Sequence, residues 1–479
     1  MNIAVIGSGP TGYVCVRRLS ELGHKVTLID TSLVEEDEYV ELEAQFKNEK
    51  LIFGSNLPYR GFPYGPRTFH DSVKTFSSFT EGGLSQIWGA TMLPFSSIDM
   101  CKWPINFSDL EPYYRELSNW IPIAGKSDQL SLIYNDFISR DNFIPSQRVL
   151  RVLENIGNLD NLVVGNARLA VETGSINSEG CYYCNNCLDG CPGSFIWTSF
   201  GKIPAVALRG TRVLKVKEEA NKVILEGIDK FGNLISGLRY DKVFFATGPI
   251  ESFRILANSE LVNSEATLKD SAFFYIPIYM SRKYRNIKEN SFGLSQIFIR
   301  LEDKYSQAGV FYQFYDYSES LARRFKNLNK LTKIIPGFLI KMILKKFMIG
   351  IGYLDSNFSP KINLTLGKQG EVYISSPNHN SERKFRDNII KSANTNLSKS
   401  LKRYKIFPLK IFCKKLKPGS GVHYGGWLEM GIRSDLLGRP LGTRNIHVVD
   451  SSVIPTIPAG PITFSIMANA LRITSSLEL

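Results

Sequence analysis

Apolar residues run without a break from Ile3 to Ile6 and give way at once to a glycine-rich turn. A short uninterrupted run of this kind predicts a buried parallel strand. Val16, Leu19 and Leu22 then share one helical face, Gly23 stops the helix, and 25–29 forms a second strand that ends in Asp30. An apolar strand beginning at Lys242 ends in Ala246-Thr247-Gly248 and leads into a helix, and 446–449 is a short strand ending in Asp450. The stretches 273–280, 292–301, 310–315 and 361–366 are strand-like. Residues 103–117 open a helix, with Ser108 and Glu111 spaced as a capping box. A final helix lies within 453–472, and no internal repeat or low-complexity linker separates these elements.

The first turn carries chemistry. Gly7-Ser8-Gly9-Pro10-Thr11-Gly12 fits the G-x-G-x-x-G pattern between a strand and a helix. The first glycine allows a tight turn, the second lets backbone N–H groups approach a pyrophosphate, and the third lets helix and sheet pack closely. The helix N-terminus then offers its positive dipole end to the phosphates. Asp30, eighteen residues after Gly12, stands where an acid accepts hydrogen bonds from a ribose. These features predict a dinucleotide, without separating FAD from NAD. Cys15, inside the helix, reads as a packing residue.

Composition adds bounds. The 479 residues are 43% hydrophobic and 22% charged, so a folded globular chain is expected. The excess of 58 Lys and Arg over 45 Asp and Glu, +13, favours anionic partners. No nucleic-acid module is recognisable, so nucleic acid is not expected as a partner. With neither a basic-then-apolar leader nor an apolar run of spanning length, the expected compartment is the cytosol, with a place on the inner face of a membrane left open.

Four further blocks narrow the cofactor: 81–95 (EGGLSQIWGATMLPF), 103–117, 242–256 (KVFFATGPIESFRIL), and HYGGWLEMG from His423 followed by 444–473. In order and spacing the chain resembles the glucose–methanol–choline (GMC) family of FAD-dependent oxidoreductases, over 1 to about 32, 80–120, 180–256 and 420–479. The resemblance implies an α/β fold: a Rossmann-like FAD-binding domain from 1–256 and 421–479, with an α+β substrate domain containing an antiparallel sheet inserted at 257–420. It implies that FAD contacts Gly7, Gly9, Pro10, Thr11, Gly12 and Asp30, then Gly82, Gly83, Ser85, Trp88 and Gly89, and then Thr247, Gly248, Asp450 and Pro461. It also implies oxidation of a CH–OH group on a sugar-like, polyol-like or lipid-linked alcohol, with hydride passing to the flavin and His423 as the base. One position departs from the family. Where a second His or Asn precedes the proline of the last helix, this chain has Gly460. Either His423 works alone, or Tyr424 or Asn469 contributes, or the enzyme is an isomerase without net oxidation. A degenerate FAD-binding electron-transfer or scaffold subunit is a further alternative.

Two features remain. Cys181, Cys184, Cys187 and Cys191, followed by Pro192, have the spacing of a bacterial ferredoxin run. An iron–sulfur cluster, with Cys101 or Cys413 as a remote fourth ligand, is one reading; zinc, a redox disulfide or four reduced thiols are the others. A cluster would make the enzyme a dehydrogenase that passes electrons to a quinone or a redox protein. The second feature is 320–354, which has no acidic residue and alternates Lys and Arg with apolar side chains. Pro336-Gly337 splits it into two possible amphipathic helices, suited either to an anionic membrane surface or to the protein's own core.

Overall fold

The computed structural model describes residues 1–477 except 34–39, 42–59, 76, 157–160, 175–178, 282–283, 285–291, 304–305, 327–333 and 378–379. Its centre is a parallel sheet of five strands in the order Ile446–Val448, Lys242–Phe245, Asn2–Ile6, Lys25–Ile29 and Val206–Leu208. The three strands Ile446–Val448, Lys242–Phe245 and Asn2–Ile6 are buried on both faces, as their apolar runs require, whereas the edge strand Val206–Leu208 is largely exposed. The helices Pro10–Glu21, Phe107–Trp120 and Thr463–Ser475 pack together beside it. Phe107–Trp120 begins earlier than the sequence suggested: the box is Asn106 with Asp109, whose carboxylate takes the Asn106 N–H at 2.7 Å. Asn106 can leave the helical backbone at the turn after Ile105, whereas Ser108 already lies inside the first turn.

Over the open side of this unit lies an antiparallel sheet, here called the roof. Its strand order is Ile406–Pro408, Phe273–Met280, Phe347–Leu354, Ser306–Tyr315, Ser295–Asp303 and Leu162–Asn166, and Lys414–Lys415 also pairs with Phe273–Met280. Alternation sorts its side chains. Phe274, Ile276, Tyr312, Phe314 and Met348 form a second core, to which Ile389, Ile390, Ala393 and Leu397 of the helix Asn380–Lys402 belong. Phe273, Tyr353, Phe311 and Tyr315 face the parallel-sheet unit. A smaller mixed sheet, in the order Tyr424–Gly425, Glu265–Asp270, Ile362–Leu366, Val372–Ser375 and Thr68–Asp71, ties the two together.

The second helix of 320–354 is shorter than expected, ending at Leu344 before the chain turns into a strand. Glu319–Lys326 and Gly337–Leu344 are helical, residues 327–333 lie outside the described part, and Phe347–Leu354 is a central roof strand. Gly350 and Gly352 decide this, because a Cβ at Gly352 would stand 2.1 Å from the Phe274 ring of the neighbouring strand. Among the described residues no helix is long and apolar enough to cross a membrane.

Candidate functional site

Four neighbouring strands of the parallel sheet deliver site residues from their C-terminal ends, where open α/β sheets hold ligands. Asn2–Ile6 runs into Gly7, whose φ of +97° suits glycine. A Cβ at Gly12 would fall 1.9 Å from the Gly7 carbonyl oxygen, so the helix rests directly on the turn backbone. Pro10 occupies the first helical turn and needs no N–H partner there. Gly9 caps the helix without a side-chain bond, and a Cβ on it would meet nothing within 4 Å. Thr11 is buried beside it. An uncapped N-terminus thus faces open space, the arrangement that accepts phosphate. Asp30, after Lys25–Ile29, takes N–H bonds from Ser8 and Ser32, both at 2.8 Å. It braces the turn, while burial pushes its carboxyl pKa upward against these bonds.

The loop 82–89 lies on this turn. Gly82 N–H donates to Ser8 Oγ at 3.0 Å, and Ser199 Oγ donates to the Ser8 carbonyl at 2.9 Å. Ser85 Oγ donates to the Gly82 carbonyl at 2.7 Å and shares a 2.9 Å bond with Thr198. A Cβ at Gly83 would come within 3.5 Å of Gly9 Cα, and Gly89 lies against the Tyr315 hydroxyl. Trp88 Nε1 donates to the Trp197 carbonyl at 2.9 Å. Trp197, Thr198 and Ser199 were not singled out from the sequence, and no motif there announces them. The third strand ends in Thr247 and Gly248, and the fourth in Asp450. Thr247 shares a 2.7 Å bond with Ser252, which donates to Asp450 at 2.6 Å. Asp450 also accepts from Ser452 N–H at 2.8 Å and from Ser452 Oγ at 2.6 Å, and burial pushes its pKa upward. Pro461 is buried just before Thr463–Ser475.

His423 stands where the roof meets this unit. Its carbonyl accepts from Ser271 N–H at 3.0 Å, and its ring stacks on Tyr353 at 5.0 Å and 22°. Val422, immediately before it, has φ +57°, a genuine outlier for a β-branched residue. Such a backbone costs about 1–3 kcal/mol and is kept where the surroundings over-determine it. Nδ1 of His423 is buried without a hydrogen-bond partner, and burial pulls the imidazole down to about 4. The ring is therefore neutral at physiological pH and able to accept a proton. Burial raises the phenols of Tyr315 and Tyr353, so the ring stacked on the histidine is a neutral phenol. Asn469 does not reach toward His423 with its amide oxygen, which accepts from Arg472 Nε at 3.1 Å and Nη2 at 2.9 Å. Gly460 is open, since a Cβ there would meet nothing within 4 Å. His447 has a structural place: it stacks on Phe244 at 4.6 Å and bonds the Leu437 carbonyl at 3.0 Å.

The four-cysteine run lies in one turn-rich loop, with Cys181, Cys184, Cys187 and Cys191 close enough to interact electrostatically. Among the described residues no three Cys, His, Asp or Glu side chains form a ligand set. Positive φ at Tyr183, Asn185 and Gly190 turns the loop so that Cys187 is buried and Cys184 exposed. Cys181 and Cys191 sulfurs accept N–H bonds from Tyr183 at 3.4 Å and Phe195 at 3.3 Å. Burial raises the Cys187 thiol to about 12, and the neighbouring Cys181, Cys191 and Cys184 add to that shift. Cys101 is exposed, and Cys413 sits beside Asn394 at 3.4 Å.

The architecture has solved counterparts. Pyridoxine 4-oxidase from Mesorbium loti superposes with a TM-score of 0.62 at 15% identity, over 99% of this chain and 98% of that one. An Aspergillus oryzae RIB40 formate oxidase, studied for a substitution's effect on FAD modification, superposes with a TM-score of 0.63 at 12% identity, over 99% and 97%. The chain has the fold of these oxidases. No family model and no curated protein sequence matches it. The oxidase fold pairs a Rossmann-like sheet with an antiparallel substrate-side sheet, so the expected α/β class is the observed one.

Proposed function

We propose that this protein is an FAD-dependent oxidoreductase of the GMC type that oxidises a CH–OH group, with His423 as the base. The observation that carries the reading is a neutral, partly enclosed imidazole with an unpartnered ring nitrogen, in the same chain as an uncapped helix turn that opens on free space at Gly9. The open space at Gly9 and Gly248 leaves room for a dinucleotide along the strand ends. Bound there, FAD supplies the hydride acceptor. Gly7, Gly9 and the first turn of Pro10–Glu21 hold its phosphates, and the 82–89 loop and Asp450 border its length. His423 takes the proton of the substrate hydroxyl as the C–H bond breaks. Tyr353, stacked on His423, places an aromatic face beside the proposed base, which suits the C–H surface of a sugar or polyol.

The test is flavin content of the purified protein, followed by anaerobic bleaching of that flavin with sugars, polyols and simple alcohols. A chain that neither retains nor takes up FAD overturns the reading. The protonation state of His423 fixes the pH profile. Histidine acts as a base only when neutral, and its pKa here lies far below the ordinary 6.5. Flavin reduction is therefore expected to stay level from neutral pH down through 6.5 and to fall only as pH drops toward 4. An acid limb centred at 6.5 in a pH-jump measurement would contradict the enclosed imidazole.

Gly460 allows a second test. Its open Cβ direction leaves space for a side chain, so Gly460→Asn is expected to keep wild-type flavin content and melting temperature. By adding one hydrogen bond to the substrate hydroxyl it is expected to speed flavin reduction about fivefold, the kinetic equivalent of a typical bond. A lower rate with intact flavin would show that the space belongs to the substrate.

A further inference from the structure

Two stretches, 320–354 and 388–428, contain no Asp or Glu and together carry seventeen Lys and Arg. The whole chain is +13, so the residues outside them are net acidic by four. The positive excess is confined to these two stretches, and among the described residues Lys346, Lys405 and Lys414 come to one edge of the roof. Met280 N–H donates to the Lys346 carbonyl at 2.9 Å, and Ser281 N–H to the Lys405 carbonyl at 3.3 Å. From there the second stretch runs back along Phe273–Met280, with Leu409 N–H donating to the Pro277 carbonyl at 2.8 Å and Lys414 paired with Tyr275. Arg323, Lys341 and Lys415 make ion pairs with Asp189, Glu319 and Asp387, all acids from outside both stretches.

Large apolar side chains stand in solvent among these lysines. Phe338 and Met342, one turn apart on Gly337–Leu344, are 69% and 54% exposed, and Ile334 before them is 79% exposed. Ile411 and Phe412, between Lys410 and Lys414, are 82% and 64% exposed. A face that binds nucleic acid needs the cations but not bulky apolar groups on display. A face that lies on lipid uses both, the lysines for anionic headgroups and the apolar groups for the acyl boundary. We propose that this edge docks the protein on the surface of an anionic lipid bilayer.

One row of the roof leads to the same edge. Tyr275, Pro277 and Tyr279 on one strand and Ile351, Ile349 and Phe347 on its neighbour are all partly exposed, whereas the residues between them are buried. This half-open track runs from Tyr353, beside His423, to Phe347, a distance of about 20 Å at strand spacing. Docking would turn its outer end toward the bilayer.

Flotation of the full-length protein tests the proposal without reference to any catalytic activity. The probes are vesicles of phosphatidylcholine alone and of phosphatidylcholine with about one-third phosphatidylglycerol, at low and high salt, the composition chosen to give an anionic surface. The expected result is flotation with the anionic vesicles at low salt, at least about tenfold weaker with neutral vesicles or at high salt. Lys402→Glu with Lys405→Glu and Lys410→Glu is expected to weaken binding on the order of a hundredfold. Phe338→Ser with Met342→Ser is expected to weaken it about tenfold or more at an unchanged melting temperature. Absence of flotation with anionic vesicles at low salt overturns the proposal, as does binding that neither set of substitutions weakens. Tight binding of duplex DNA without vesicle binding also overturns it. Should the triple variant fail to fold, the salt response of the wild type and the apolar pair still decide the matter.

Discussion

His423→Ala is expected to lower alcohol-driven flavin reduction at least about a hundredfold, the usual contribution of a positioned general base, while flavin content stays at the wild-type level. The separation follows from placement. His423 immediately precedes Tyr424–Gly425, the edge strand of the mixed sheet, and its described hydrogen bond runs to Ser271 rather than to the fingerprint turn, the 82–89 loop or Asp450. Stability should change little: alanine loses the stack on Tyr353 but also removes a buried nitrogen that has no partner. His423→Gln keeps much of the volume without a titrating group and should be equally slow. In both variants the acid limb near pH 4 should vanish. A variant reducing its flavin at the wild-type rate, measured by stopped flow, would remove His423 from the mechanism.

The second large effect comes from two glycines only three residues apart. In Gly12→Ala the new Cβ would stand 1.9 Å from the Gly7 carbonyl oxygen, a backbone atom that cannot step aside. The helix must lift from the sheet, at about 1–3 kcal/mol or more for an overpacked contact, and the phosphate turn goes with it. We expect a melting temperature several degrees lower and no retained flavin. In Gly9→Ala the Cβ enters open space, so the fold should melt as wild type and only the room for a ligand is lost. Stoichiometric flavin in Gly9→Ala, by absorbance after denaturation, would show that this space is not the cofactor's.

What the sequence made legible is local. The strand, turn and helix of the first thirty residues depend on neighbours a few positions apart, and the fold repeats their order. Asp450 was legible for the same reason, as an acid closing a short apolar run. The capping box was displaced by two residues because Asn106 and Ser108 both have capping side chains, and only the turn after Ile105 selects between them. The strand Phe347–Leu354 was read as helix because lysines dominate its approach, and its two glycines show their purpose only against Phe274 of another strand. The tyrosines around His423 were invisible for a similar reason. Tyr275 and Tyr353 meet through a pairing between strands more than sixty residues apart. The cysteine spacing gathers four thiols in one loop, but which of them is buried depends on the bends at Tyr183 and Asn185, which the spacing does not show.

The order of strands in the parallel sheet bears on how the protein is made. Lys242–Phe245 pairs on one side with residues 3–6 and on the other with Ile446–Val448. A ribosome adding roughly 5–20 residues per second needs about 10–40 s to pass from the one strand to the other. Throughout that interval Lys242–Phe245 has an apolar, unpaired edge, and the carboxylate that closes the last side of the dinucleotide crevice does not yet exist. Completion of the crevice is therefore a late event in biosynthesis, and until then that edge is open to pairing with another molecule.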